Sequence, residues 1–394
     1  MTTTMSAAAE TLNADQDVQI DQAELTRRTI RRTDLVSCNN AFIDCRTPGS
    51  DLKENYSLIG NGVSQNANQF INLQIPHGFN VGGAAMPNGV TNSLHMHFTA
   101  EVFVVVKGTY KFRWGRDGEE GEYIGGPGDI ISVPTWIYRG FTNIGSDDNF
   151  MFTFLGKDNT GGILWGPSVL KEAEGYGLYL TEDNELIDTV AGDMVPQDVK
   201  LIQPMPDFEI SKLRHYTVDE MRRRVTTNDD RDFFNDALLC HAVDGGRARL
   251  AAVIGFGFTE HRFQEPRVYN PHGFSVAAIR ADSGQGVLRH RHTEPQALIV
   301  TGGEWEVTLN DENPLTVRLG LHDTLSIPVG AWRSFKNVSD DDEAELIVAT
   351  RGDGRVPLTW APDVVKAALA ADVSYDANGY LAPWSLVSRT VADD

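Results

Sequence analysis

The sequence predicts an all-β protein built as two tandem barrels with a few short flanking helices. Three observations carry that prediction: an internal repeat, strand-like runs broken by glycine, and a shortage of helical periodicity.

The repeat is read first because it sets the architecture. PHGFNV beginning at Pro76 recurs as PHGFSV beginning at Pro271, an offset of 195 residues. The same offset joins Cys45 to Cys240, Ile59-Gly60 to Ile254-Gly255, His95 to His290, His97 to His292 and Trp165 to Trp360. Between the histidines and the tryptophans it slips to 194, pairing Pro134 with Pro328 and Asn143 with Asn337, as expected where a hairpin loop gains or loses a residue. The framework is duplicated and its loops have drifted.

Within each copy, EVFVVVKGTYKFRW from Glu101 and QALIVTGGEWEVTL from Gln296 are rich in β-branched and aromatic residues and are punctuated by Gly, the signature of strands joined by tight turns. Helix signals are confined to Asp21 with Glu24 three residues on, Thr217 with Glu220 likewise, and the proline-led PDVVKAALAA from Pro362. The expected division is a disordered tail over 1–20, an N-terminal domain over 21–195, a linker over 196–216 carrying Pro196, Pro204 and Pro206, and a C-terminal domain over 217–394.

Composition excludes several functions. Lys and Arg number 34 against 55 for Asp and Glu, a net charge of −21, so the surface repels phosphate backbones and anionic headgroups, and neither nucleic acid nor membrane is an expected partner. No basic-then-apolar leader opens the chain and no run approaches the ~20 apolar residues of a bilayer span, which makes the cytoplasm the expected compartment. Cys38, Cys45 and Cys240 are too few for a disulfide framework and are not spaced as a zinc pair, so reduced thiols are expected. Ser168 in GPSVL lacks the glycines of a nucleophile elbow, and no Walker loop or dinucleotide fingerprint occurs.

The chemistry concentrates in one pattern: Gly89, five residues, His95-Met96-His97, three residues, Glu101, six residues, Gly108. Alternate residues of a strand share a face, so the spacing i, i+2, i+6 predicts both imidazoles and the carboxylate on the lumen side. Two neutral imidazoles and one anionic oxygen, with positions left open, form the donor set of a divalent transition metal, as in the facial triad of non-haem iron. A second pattern follows, with Gly128-Asp129, Pro134 and Asn143.

With these two patterns the chain resembles the cupin superfamily, and two copies make it resemble a bicupin. The family's second motif reads Gly, five residues, Pro-x-Gly, two residues, His, three residues, Asn; here Trp136 stands at the second Gly and Arg139 at the His. Copy two keeps His290, His292 and Gly303 but has Gln296 for the glutamate, then His322-Asp323, Pro328, Gly330, Arg333 and Asn337. The resemblance implies two double-stranded β-helix barrels. The layout is similar to bicupin dioxygenases of the gentisate and quercetin type, and HRHTEPQALIV is similar to the first motif of the gentisate group.

That likeness implies a metal held by His95, His97 and Glu101, most simply Fe(II), with Mn, Ni or Zn as alternatives. A weaker secondary site is expected at His290, His292 and Gln296, whose amide offers only a neutral oxygen. The activity implied is dioxygenation of a small aromatic or enolic substrate; the alternatives are a non-redox isomerase, lyase or cyclase, and a non-catalytic small-molecule binder. Relatives of this layout also imply a homo-oligomer. Arg139 cannot ligate a metal, because its guanidinium stays protonated. Two roles stay open for it: an ion pair with Glu101, or a catalytic anchor for a substrate carboxylate or enolate. Trp136, Tyr138 and Trp332 are expected to pack, and His77 and His272 to serve the structure.

Overall fold

A computed structural model describes residues 18–340 and 343–391. The expected tail over 1–20 therefore lies outside the described residues except for 18–20, where Ile20 is buried and its backbone N–H donates to Asn310 Oδ1 in the second copy.

Two kinds of strand build each copy, and their sequences tell them apart. Tyr110–Trp114 (YKFRW) and Trp305–Leu309 (WEVTL) alternate buried and half-buried residues, as strands do when one face meets solvent. Glu101–Lys107 (EVFVVVK) and Gln296–Gly302 (QALIVTG) are buried over five successive residues, which requires cover on both faces. The first kind forms a five-stranded sheet in each copy. The second kind forms a larger sheet, seven-stranded in copy one and six-stranded in copy two. The two sheets of each copy face one another as an open jelly roll; they do not close edge to edge into the barrel that the sequence suggested.

The outer face of each large sheet packs on that of the other copy. One cluster draws on both, with Phe79, Val81 and Phe154 against Phe274, Val276 and Ile347, and the Phe274 ring lies 5.7 Å from that of Phe79 and 6.1 Å from that of Phe154. The copies also exchange edges. Helix Gln22–Arg28, capped by Asp21, leads into Thr29–Ile30, which pairs with strand Thr324–Ile327 of copy two. Helix Val218–Arg222, with Thr217 and Glu220 as a capping box, leads into Val225–Thr226, which pairs with Ile130–Val133 of copy one.

The repeated PHGF histidines tie this arrangement together. His77 Nδ1–H donates to Ile75 O (2.7 Å) and its Nε2 meets Ser326 Oγ across the interface (2.8 Å), while that serine accepts from Arg28 Nη1 (2.9 Å). The mirror arrangement has His272 bonded to Asn270 O, Nε2 on Ser132 Oγ (2.7 Å), and Arg224 Nη2 on the same serine (2.8 Å). Each His is a neutral tautomer that accepts from a serine hydroxyl, and each serine accepts from an arginine of the exchanged arm.

The helix signals at Asp21, Thr217 and Pro362 coincide with helices Gln22–Arg28, Val218–Arg222 and Pro362–Ala370. The repeat mate of the last, Pro167–Gly175, is also a helix. Its PSVLKEAEG offers a weaker apolar stripe and gave no sequence signal. Residues 196–216 contain one helical turn, Asp207–Ile210. The three cysteines are unpaired. Each copy keeps glycine at a left-handed turn that the other has given up: Gly128 (φ 90°) corresponds to His322 (φ 67°), and Gly330 (φ 74°) to Trp136 (φ 59°). A side chain there costs roughly 1–2 kcal/mol, and both are held by rings, Trp136 by Phe98 at 5.4 Å and His322 by Phe150 at 6.3 Å.

Burial pushes His77 and His272 down to about 4 in the folded protein, below their ordinary 6.5. Between those values the unfolded chain binds more protons, so their stability contribution is complete above about 6.5 and is lost as pH falls towards about 4. Urea midpoints measured across that range should fall with pH, by up to about 3 kcal/mol per histidine. The His77→Asn/His272→Asn variant should show a shallower acid slope; an unchanged slope would contradict the assignment.

Candidate metal centre

Strand Thr91–His97 (TNSLHMH) lies within the five-stranded sheet, between Ile163–Trp165 and Arg139–Asn143. Its alternation turns His95 and His97 inward, while Met96 packs on the other side with Tyr138 and Ile210. The chain then crosses over 98–100, and Glu101 opens strand Glu101–Lys107 of the facing seven-stranded sheet. The expectation that all three share one strand face is corrected here: the imidazoles come from one sheet and the carboxylate from the other, and they converge because both inner faces point into the sandwich.

His95 Nδ1–H donates to Ser93 O (2.6 Å), which leaves the Nε2 lone pair for a ligand. His97 Nδ1 lies 3.5 Å from Gly162 O. Its buried Nε2 has no hydrogen-bond partner among the described residues and sits 3.6 Å from Glu101 Oε1. Donor atoms of the three residues lie within 4.8 Å of one another; around one ion at roughly 2.0–2.2 Å, ligand atoms are roughly 3–4.4 Å apart. Small side-chain shifts therefore bring this set into contact with a dication. Burial, reinforced by the nearby Arg139 charge, holds His95 well below its ordinary pKa, so the imidazole is neutral and able to ligate.

Arg139 pairs in register with His95 on the adjacent strand. Its Nη2 donates to Glu101 Oε2 at 2.6 Å and its Nη1 to His95 O at 3.1 Å. Both partners are buried. Burial raises the Glu101 carboxyl and lowers the Arg139 guanidinium, a desolvation that each offsets by serving as the other's counter-ion. The contact uses one carboxylate oxygen and leaves Oε1 on the side of His97.

The second copy places its residues differently. His290 Nδ1–H donates to Leu288 O (2.8 Å) and its Nε2 is buried without a partner among the described residues. Arg333 Nη1, however, lies 2.9 Å from His292 Nε2, in the place a metal would have to take. Gln296 Nε2 donates to Thr350 Oγ1 (3.2 Å). The surroundings are a continuous apolar core, including Leu239, Ala248, Phe258 and Val287.

In copy one the corresponding interior is split into two apolar clusters. A cavity open to solvent is lined by His95, His97 and Glu101 together with Phe42, Lys53, Asn92 and Trp165. Sequence reading passed over Asp44, Lys53 and Asn92. The signal lay in the repeat: their mates at the 195-residue offset are Leu239, Ala248 and Val287, so a polar trio faces an apolar one.

Comparison with known proteins follows the same lines. The cupin domain family matches residues 84–155 and 279–350, one stretch in each copy. No curated protein sequence matches the chain. Among solved structures, an oxalate decarboxylase from Lactobacillus farciminis, in a formate complex, superposes with a TM-score of 0.53 at 11% identity, over 90% of this chain and 92% of that one. Bacillus subtilis oxalate decarboxylase, a protein with Mn(II) centres, gives 0.51 at 11% identity over 89% and 81%. A 7S globulin from Momordica charantia gives 0.50 at 10% identity over 85% and 86%. At such identities the likeness is one of fold. Among the described residues no helix is long and apolar enough to cross a membrane. The same cupin domain family thus matches once in each of two tandem jelly rolls, a bicupin arrangement.

Proposed function

We propose that the first cupin domain is a divalent-metal enzyme centre and that the second is its structural partner. The observation that carries this reading is the meeting of His95, His97 and Glu101 donors on the wall of that cavity. His95, His97 and Glu101 would hold the metal, which when bound supplies Lewis acidity and, as Fe(II), electron transfer to O2.

Arg139 stands where the family's further histidine would be, so among the described residues three metal donors meet at the cavity and the remaining positions are open to small molecules. That donor count favours Fe(II)-dependent dioxygenation of a small aromatic or enolic substrate. Arg139 is a positioning residue in this reading: its Nη2 on Glu101 and its Nη1 on the His95 carbonyl fix the carboxylate in orientation and charge. Phe42, Phe103, Phe141 and Trp165 in the cavity wall offer apolar faces to a flat substrate and keep water from it. A non-redox lyase is the second reading, favoured by the fold shared with oxalate decarboxylases, with Mn(II) as its metal.

Elemental analysis should find about one dication per chain, lost in His95→Ala and retained in His290→Ala. Iron with oxygen uptake on dihydroxybenzoates or enolic acids selects dioxygenation, and manganese with turnover but no oxygen uptake selects the lyase. A chain that stays metal-free after reconstitution would leave a binding protein. Arg139→Met should cost the metal-free protein about 3–5 kcal/mol, because it strands the Glu101 charge, and Arg139→Met/Glu101→Gln should recover most of that loss in urea unfolding.

A further inference from the structure

The cavity beside the His95–His97–Glu101 cluster carries a second set of polar groups that metal binding does not use. Lys53, one residue before strand Glu54–Ile59, is 4% exposed. Its ammonium is paired with the Asp44 carboxylate and donates to Asn92 Oδ1 at 3.0 Å. The other Asp44 oxygen accepts from the Ser93 backbone N–H at 3.2 Å, so the trio is braced two residues from His95. An ammonium has three donors, and these acceptors leave the third for the cavity that Lys53 lines. Trp165 lines the same cavity. It is 2% exposed, and its Nε1–H finds no partner among the described residues. Its ring lies 5.3 Å from that of His95 and 5.9 Å from Lys53 Nζ, which is itself 5.3 Å from the Phe42 ring.

The second copy serves as an internal control. Sheet register is the same in both, with Ser57 opposite Gly82 and Ala252 opposite Ala277, and Trp165 and Trp360 each opposite the first histidine of their copy. At the positions of Asp44, Lys53 and Asn92 copy two has Leu239, Ala248 and Val287, all buried. Its tryptophan is satisfied, because Trp360 Nε1–H donates to Glu260 Oε1 at 2.9 Å. The fold thus requires neither a buried ammonium nor an unpaired indole N–H. Both are costly to bury, and both occur where copy one keeps its interior open.

We infer that Lys53 and Trp165 form an anion-binding subsite that takes a carboxylate or enolate oxygen of the ligand in this cavity, with the faces of Phe42 and Trp165 against its flat apolar part. The inference rests on reading the cavity as the substrate site and gives that substrate a negative charge.

Calorimetry on the metal-loaded full-length chain with benzoate and benzamide, alike in shape but not in charge, tests it. Benzoate should bind at least about ten-fold more tightly than benzamide. That preference should fall to about two-fold or less in Lys53→Met and in Asp44→Leu/Lys53→Ala/Asn92→Val, with metal content unchanged. Trp165→Phe, which removes the N–H and keeps an aromatic face, should weaken benzoate about three- to ten-fold. The triple variant copies residues the second copy already folds around, so it decides the matter if Lys53→Met does not fold. Absent benzoate binding, equal affinity for benzamide, or indifference to Lys53 would overturn the subsite. A metal-free chain that still prefers benzoate through Lys53 would uphold it and overturn the metal reading instead.

Discussion

Burial of both faces of the two large sheets is the constraint from which the rest of the molecule follows. Strand Glu101–Lys107 carries apolar side chains inward to its own jelly roll and outward to the other copy, so neither copy can present its large sheet to water without exposing an extended apolar surface. Any polar group carried into that contact needs a partner there. His77 and His272 find theirs in Ser326 and Ser132, and those serines find theirs in Arg28 and Arg224. The exchanged arms also cover edge strands that would otherwise offer unpaired backbone groups.

Given that shared scaffold, the two interiors are free to diverge. Copy two has filled its lumen with Leu239, Ala248, Phe258 and Val287, and Arg333 turns to His292. Copy one retains two buried ion pairs and unpaired imidazole and indole nitrogens around an open space. Filling is the cheaper arrangement in free energy, because dispersion contacts replace desolvated charge. The stability of the filled half supports the half that carries the polar site.

Much of this was legible in the sequence, for reasons that can be named. The offset joining PHGFNV to PHGFSV exposed the duplication, and the capping pairs Asp21/Glu24 and Thr217/Glu220 fixed two helix starts because capping is local chemistry. Glu101 was placed on the right side by a wrong route: a spacing of even parity reads the same whether a strand continues or the chain crosses over 98–100 to the opposite sheet. The partner of Arg139 could not be chosen, since an ion pair with Glu101 depends on cross-strand register. The exchange of Thr29–Ile30 and Val225–Thr226 was hidden for the same reason, because a two-residue strand carries no periodicity and its partner lies in the other copy. Lys53 was legible only by subtracting one repeat from the other.

The exchanged arms also set an order of events during synthesis. Arg28 and Ser326, bonded in the finished protein, are 298 residues apart in the chain. The first arm therefore leaves the ribosome long before the strand it must join exists, and the first jelly roll waits for Val225–Thr226 to cover strand Ile130–Val133. Closure of this edge can begin once the second arm has emerged, whereas the docking of the first arm waits for strand Thr324–Ile327. Contacts of such separation are slow to form, and until they do the nascent chain carries one open sheet edge and one unattached helix.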